Sequence, residues 1–206
     1  MKISIIGSGN VGGALAQKFI KAGHTVLIGA KFPLSEKSIK LASQIGEDRF
    51  TTIRSAVEQT EVIILATPAP YAIEIAQSLG DTSNKVIIDT MNIVMGRGPA
   101  GFSNTSEAIL ANTLTNDVVK CFNTTGFNNM LDPRYGEQTI DAFVAGDSTK
   151  GKAIAQLLAI DAGFENCYDV GGNDKFDLME QFAFFWINLA MFQGQGREIG
   201  FKLLKR

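Results

Sequence analysis

Six residues near the start of the chain, Gly7-Ser8-Gly9-Asn10-Val11-Gly12, place glycine at the first, third and sixth positions, with Gly13 following. The spacing alone is weak, because a chain with 21 glycines produces it by chance. Its context makes it informative. The β-rich apolar run Lys2–Ile6 precedes it directly, residues 11–22 carry apolar side chains at helical spacing, and a second β-rich run begins at Thr25. In a strand–turn–helix–strand unit each glycine has a task. Gly7 permits the tight turn, Gly9 lets backbone approach a pyrophosphate, and Gly12 lets the helix pack close to the strand. The free amides and positive dipole end of the helix, with Ser8, Asn10 and Val11 in the same turn, would then hold the phosphates of a dinucleotide. The bland alternative is a tight turn and nothing more.

The end of the second strand decides which dinucleotide. Asp or Glu there accepts hydrogen bonds from an adenosine ribose. This chain reads Ile28-Gly29-Ala30-Lys31-Phe32, with no acidic residue until Glu36. A carboxylate would repel a 2′-phosphate and Lys31 would attract it, with Lys37 as a second cation, so Ala30 and Lys31 point to NADP over NAD. An ordinary solvated lysine would leave that choice open. Further along, Ala66-Thr67-Pro68-Ala69-Pro70-Tyr71 stops a strand and opens a helix, since proline lacks an N–H and suits a first helical turn. Thr67, Pro68 and Tyr71 are expected beside the ribose or pyrophosphate. Asp89-Thr90-Met91-Asn92 follows the next strand, and Asn92 is expected towards the nicotinamide half. Plain turn chemistry would also account for both segments.

The elements that must position these residues alternate along the chain. Lys2–Ile6, Thr25–Gly29 and residues 62–66, 85–89, 118–122 and 140–145 read as buried strands. Residues 11–22, 35–45, 71–79, 106–114 and 149–162 read as helices. Strands separated by such helices require crossovers and a mostly parallel sheet covered on both faces. The fold class is therefore α/β, a Rossmann-type doubly wound sheet, with residues 1–206 as a single nucleotide-binding domain. Residues 91–104 hold Gly96, Gly98, Pro99 and Gly101 and read as a loop. From Asp174 the chain turns into an apolar helical extension, residues 174–206, in which residues 182–192 are apolar almost all round. Such a helix must be covered on more than one side, and the preferred account is a homodimer built through it.

Composition removes several classes of function. Nineteen Lys plus Arg against 21 Asp plus Glu leave a net charge of −2, which disfavours a broad nucleic-acid surface. No apolar stretch approaches the roughly 20 residues of a membrane span. The opening apolar run is too short for a signal peptide, and two cysteines, Cys121 and Cys167, make no disulfide framework or zinc spacing, so a cytoplasmic protein without a metal site is expected. His24 is the only histidine and falls in the turn between the first helix and second strand, which excludes triad chemistry.

Residues 2–31, Thr67-Pro68, Asp89-Thr90-Met91-Asn92, Val118-Val119-Lys120-Cys121-Phe122-Asn123-Thr124 and Asn188-Leu189-Ala190-Met191-Phe192-Gln193-Gly194-Gln195-Gly196 together resemble the coenzyme F(420)-dependent NADP oxidoreductase family. That family is related to the reductase domain of the six-transmembrane epithelial antigen metalloreductases. The resemblance implies an NADP-binding Rossmann fold, commonly dimeric, that passes hydride between NADPH and a flavin-like partner such as a deazaflavin. Two positions depart from the family pattern. Ala30-Lys31-Phe32 stand where members usually carry Ser or Asn followed by one or two arginines, and lysine lacks arginine's fork. Asn123 falls where deazaflavin enzymes can show a histidine.

The alternating pattern persists to about residue 172, which leaves too little chain for a separate substrate domain. A small redox substrate must therefore bind against the nucleotide fold itself, and a flat ring suits so shallow a site. Hydride transfer between two rings needs the reacting carbons held roughly 3–3.5 Å apart with water excluded, and little acid or base. No catalytic residue is assigned. Phe122, Asn123 and Thr124 are the candidates for positioning the nicotinamide or its acceptor, with Gly126, Phe127 and the loop at Gly96–Gly101 around them. The alternatives are a dehydrogenase acting on a small carbonyl or imine, and a non-catalytic NADP-binding sensor.

Overall fold

The computed structural model describes residues 1–31 and 35–206, so Phe32 lies outside the described residues. The strands are β1 (Lys2–Ile6), β2 (Thr25–Gly29), β3 (Phe50–Thr51), β4 (Val62–Leu65), β5 (Val86–Asp89), β6 (Val118–Cys121), β7 (Arg134–Tyr135), β8 (Gln138–Thr139), β9 (Ala142–Ala145) and β10 (Cys167–Gly171). The helices are α1 (Asn10–Lys21), α2 (Glu36–Ile45), α3 (Ile53–Glu58), α4 (Ala72–Ser78), α5 (Thr105–Ala111), α6 (Phe127–Leu131), α7 (Thr149–Asp161) and α8 (Phe176–Ile187). Eight of the described strands form one sheet in the order β10-β9-β6-β5-β4-β1-β2-β3, and β7 pairs with β8 as a separate hairpin.

Successive side chains of a strand point to opposite faces, and here both faces are buried. On β4, Val62 and Ile64 join a core with Leu15 and Phe19 of α1 and Leu158 of α7, while Ile63 and Leu65 join one with Ile75 of α4 and Ile109 of α5. This explains the continuous apolar runs in the sequence. The chain winds outward from β1 in both directions, through β2 and β3 on one side and β4 to β6 on the other. The switch point lies between β1 and β4, where a crevice opens beyond the carboxyl ends of the strands.

The expected parallel order fails at one pair: β9 runs antiparallel to β6. The link between them contains only the short helix α6 and the β7–β8 hairpin, so the chain re-enters the sheet from the edge it had left. The expected helix over residues 182–192 also divides. The α-helix ends at Ile187, and a π turn covers Asn188–Phe192. Gly194 (φ 72°) and Gly196 (φ 75°) then reverse the chain. The returning segment packs back: the Trp186 indole donates to the Ile199 carbonyl at 2.8 Å, and the Phe201 ring stacks on Phe182 at 4.9 Å. Phe176, Met179, Ala183 and Trp186 face inward, while Leu178, Phe184, Phe185, Met191 and Phe192 are exposed. Among the described residues no helix is long and apolar enough to cross a membrane.

His24 has a structural role. Its Nδ1 lies 3.1 Å from the α-amino group of Met1 and its Nε2 lies 2.9 Å from Asp161. The two thiols, Cys121 and Cys167, are free with their sulfurs 3.9 Å apart, and burial pushes the Cys121 thiol up.

Candidate nucleotide site

The glycine-rich turn lies at the switch point, where backbones come too close for side chains. Gly7 has φ 116°, and a Cβ there would sit 2.4 Å from the Ala66 carbonyl oxygen on the neighbouring strand end. A Cβ on Gly12 would sit 2.0 Å from the Gly7 carbonyl oxygen. Gly9 differs: its φ is −75°, and among the described residues a Cβ would meet nothing within 4 Å. The space above Gly9 is therefore open on the side where α1 begins. Gly9 is the N-cap of α1, no side chain caps the helix, and no acidic residue stands in its first turn. The first-turn amides thus have no intrahelical acceptor and face that opening, an arrangement that fits a diphosphate.

Beside the turn lies a cavity of about 390 Å³ lined by Gly7, Ser8, Ala30, Lys31, Thr67, Pro68 and Tyr71, together with Ile6, Gly29, Ser35, Ile53, Glu74 and Ile75. The structure thus brings together the glycine-rich turn, the end of β2 and the turn after β4, which are far apart in sequence. Ser35, Ile53, Glu74 and Ile75 were missed in sequence reasoning. Lys31 reaches across to Glu74, with Nζ 2.5 Å from Oε1, and that hydrogen bond raises the lysine's pKa. Ser8 Oγ is 2.7 Å from Ser38 Oγ, which is 2.9 Å from Ser35 Oγ, so three hydroxyls link the turn to the start of α2. Thr67 Oγ1 donates to the Met91 sulfur at 3.2 Å.

Asn10 and Val11 do not line this cavity. Asn10 borders a neighbouring hollow of about 240 Å³ with Gln17, Lys37, Lys40 and Phe127, and Val11 packs against the core.

The third group of candidates meets one strand further out. Asn92 Nδ2 donates to the Asn123 carbonyl at 2.8 Å, and Asn123 Nδ2 donates to Asn92 Oδ1 at 2.9 Å and to the Met179 carbonyl at 3.1 Å. The Met179 carbonyl can only accept, which fixes the orientation of the Asn123 amide. Asn123 Oδ1 is left buried without a partner, a cost of about 1–3 kcal/mol in an ordinary core. Thr124 is buried beside it. Phe122 contributes its backbone: φ is 64°, unusual for a non-glycine residue, and the residue is buried, with its ring centroid 6.1 Å from that of Phe19 and 6.2 Å from that of Phe164. Gly126 lies under Trp186, where a Cβ would come within 2.6 Å of the indole.

Beneath this edge sits an ion cluster that sequence reasoning missed. Lys120, fully buried on β6, donates to Asp89 Oδ2 at 2.7 Å, to the Met91 carbonyl at 2.9 Å and to Thr105 Oγ1 at 2.9 Å, and its Nζ lies 2.9 Å from Glu180 Oε1. Asp89 also accepts from Ser106 and from the Met91 amide. Glu180 accepts from the amides of Ile93 and Thr105 at 2.7 and 2.9 Å. The cluster thereby ties β5, β6, α8 and both ends of the 91–104 loop to one point. Its signal in the sequence is a lysine between Val118-Val119 and Cys121-Phe122, a charged residue inside a buried strand.

Known proteins share this fold. Residues 2–93 match the family model described as NADP oxidoreductase, coenzyme F(420)-dependent. The whole fold is similar to that of a candidate F(420)-dependent NADP reductase from Arthrobacter sp. FB24, at 22% identity, with all of both chains covered and a TM-score of 0.86. A hypothetical protein from Sinorhizobium meliloti is also 22% identical, with 100% of this chain and 96% of that chain covered and a TM-score of 0.72. A reductive aminase from Aspergillus terreus, solved with NADPH and ethyl-5-oxohexanoate, is 18% identical over 94% of this chain and 63% of its own, with a TM-score of 0.66. At these identities the likeness carries the Rossmann-type fold. The matched stretch, residues 2–93, holds the glycine-rich turn and the lining of the cavity.

Proposed function

We propose that this chain binds NADPH with its adenosine half in the cavity and its diphosphate over Gly9, and exchanges hydride with a flavin-like acceptor. The acceptor class is a deazaflavin, a flavin or a ferric-flavin system. The observation that carries the reading is the open space above Gly9, at the uncapped start of α1, beside a cavity with Lys31 at its rim. Bound NADPH supplies the hydride. The chain's own residues orient and enclose: the first-turn amides of α1 hold the diphosphate, Lys31 faces the 2′-position, and Thr67, Pro68 and Tyr71 wall the adenosine. Asn92, Asn123 and Thr124 fix the nicotinamide edge through a network whose amide orientations are set by the Met179 and Asn123 carbonyls. Phe122 sets the direction of that segment by its backbone turn. No proton donor is needed for transfer between two rings, in keeping with the structural role of His24.

The test is to incubate the protein with NADPH and, in turn, FMN, FAD, riboflavin and a deazaflavin, following nicotinamide absorbance. Turnover with at least one acceptor is expected. Tight NADPH binding with no oxidation by any of them would reject the flavin reductase and leave an NADP-binding sensor or a dehydrogenase acting on a small carbonyl or imine.

The same reading includes a homodimer in a cytoplasmic setting. Its support is the exposure of Leu178, Phe184 and Phe185 on α8 and of Met191 and Phe192 in the turn that follows, since exposed large apolar side chains gathered in one segment mark an interaction surface. Sedimentation equilibrium should give twice the 22.2 kDa chain mass; a strictly monomeric protein at micromolar concentration would reject this part.

A further inference from the structure

The described lining of the cavity carries two formal charges, Lys31 and Glu74, and they are paired with each other. Lys31 stands just past β2, and Glu74 stands in the first turn of α4, whose Ala72 and Ile75 are buried against the core. That packing fixes where the carboxylate sits relative to β2. The positive end of α4 further favours a carboxylate in its first turn. Among the described residues, the rim of the cavity therefore presents a neutral pair, where a 2′-phosphate favours a net positive charge.

We propose that Glu74 is a specificity-determining residue of this cavity, which competes with the adenosine 2′-phosphate for Lys31 and so holds down the preference for NADP over NAD. The inference rests on the reading that the cavity takes the adenosine half of a dinucleotide. Lysine is a single compact charge, unlike the forked guanidinium, and it cannot satisfy a carboxylate and a phosphate with separate planar faces. A phosphate that binds Lys31 lies close to Glu74 and meets a like charge. A 2′-hydroxyl meets no such repulsion, and Glu74 can accept its hydrogen bond. The acidic partner that usually sits at the end of β2 is thus supplied from α4, on the opposite wall.

The experiment measures the dissociation constants of NADPH and NADH for the unmodified protein, Glu74→Gln, Lys31→Met and the double variant. The two side chains are 57% and 53% exposed, so neither change threatens the fold, and thermal melts verify this. Glu74→Gln should tighten NADPH about three- to tenfold, the scale of one like-charge contact near a protein surface, and weaken NADH by about two- to fivefold, since an amide oxygen accepts from the ribose hydroxyl more weakly than a carboxylate does. In the Lys31→Met background the gain for NADPH should shrink to about twofold, the residual through-space repulsion. An NADPH-to-NADH ratio that stays the same or falls in Glu74→Gln, with binding intact, overturns the inference alone. An unmodified protein that binds neither nucleotide overturns the nucleotide reading and this inference with it.

Discussion

Replacing Gly9 with alanine should weaken NADPH binding by about a hundredfold or more, equivalent to about 2.8 kcal/mol, while the protein melts almost where it did before. Gly9 has an ordinary backbone conformation, and a methyl group there would touch none of the described residues within 4 Å. The fold itself therefore gives no steric reason for glycine at this position. The change at the N-cap costs up to about 1 kcal/mol, partly offset by the stiffer unfolded chain. The reason for glycine is the diphosphate, whose approach to the amides a methyl would obstruct. Gly12→Ala is the contrasting case, because its Cβ would lie 2.0 Å from a carbonyl oxygen and the fold itself must give way. Calorimetric titration with NADPH, read beside a thermal melt, separates the two. Undiminished NADPH affinity in Gly9→Ala would show that the diphosphate does not lie over this turn.

The second large effect is expected on stability. Lys120→Met should cost about 3–5 kcal/mol, because it leaves Asp89 and Glu180 buried with their shared cation removed. For a domain of this size that lowers the melting temperature by roughly 10 °C. Methionine keeps the length and the apolar stem of lysine, so the loss reports on charge rather than on a cavity. Hydrogen exchange should quicken across residues 91–104, since the Met91 carbonyl, the Ile93 amide and the Thr105 amide are all held by members of the cluster. A melting temperature unchanged to within about 2 °C would show that the three groups do not depend on one another for burial.

The two faces of the central strands made them readable. The apolar runs at β1, β2, β4 and β5 are continuous because side chains on both faces are buried, and few other structures bury them so. Elements that bury less were hidden. The strand β10 is a partly exposed edge interrupted by a bulge between Asp169 and Gly171, so it shows neither a continuous apolar run nor clean alternation. The helix α3 has six residues and buries only Ala56 and Val57, too little to set a period. At the site, residues held by backbone geometry were legible: the glycines, Lys31 at a strand end, and Thr67 and Pro68 at another. Glu74 was not, because it reaches the cavity from a helix face and its partner is 43 residues away. Phe122 looked like a site residue from its position, but its left-handed backbone turns the ring into the core and leaves Asn123 to meet Asn92.

The serine chain from the glycine-rich turn to α2 has a further consequence. Between Ser8 and Ser38, and again between Ser38 and Ser35, either oxygen can be the donor. If the Ser8 hydroxyl rotates to point its hydrogen at an incoming anion, Ser38 can rotate in turn and supply the proton that Ser8 then accepts. Rotation of light atoms alone would then carry the change in polarity from residue 8 towards residue 35.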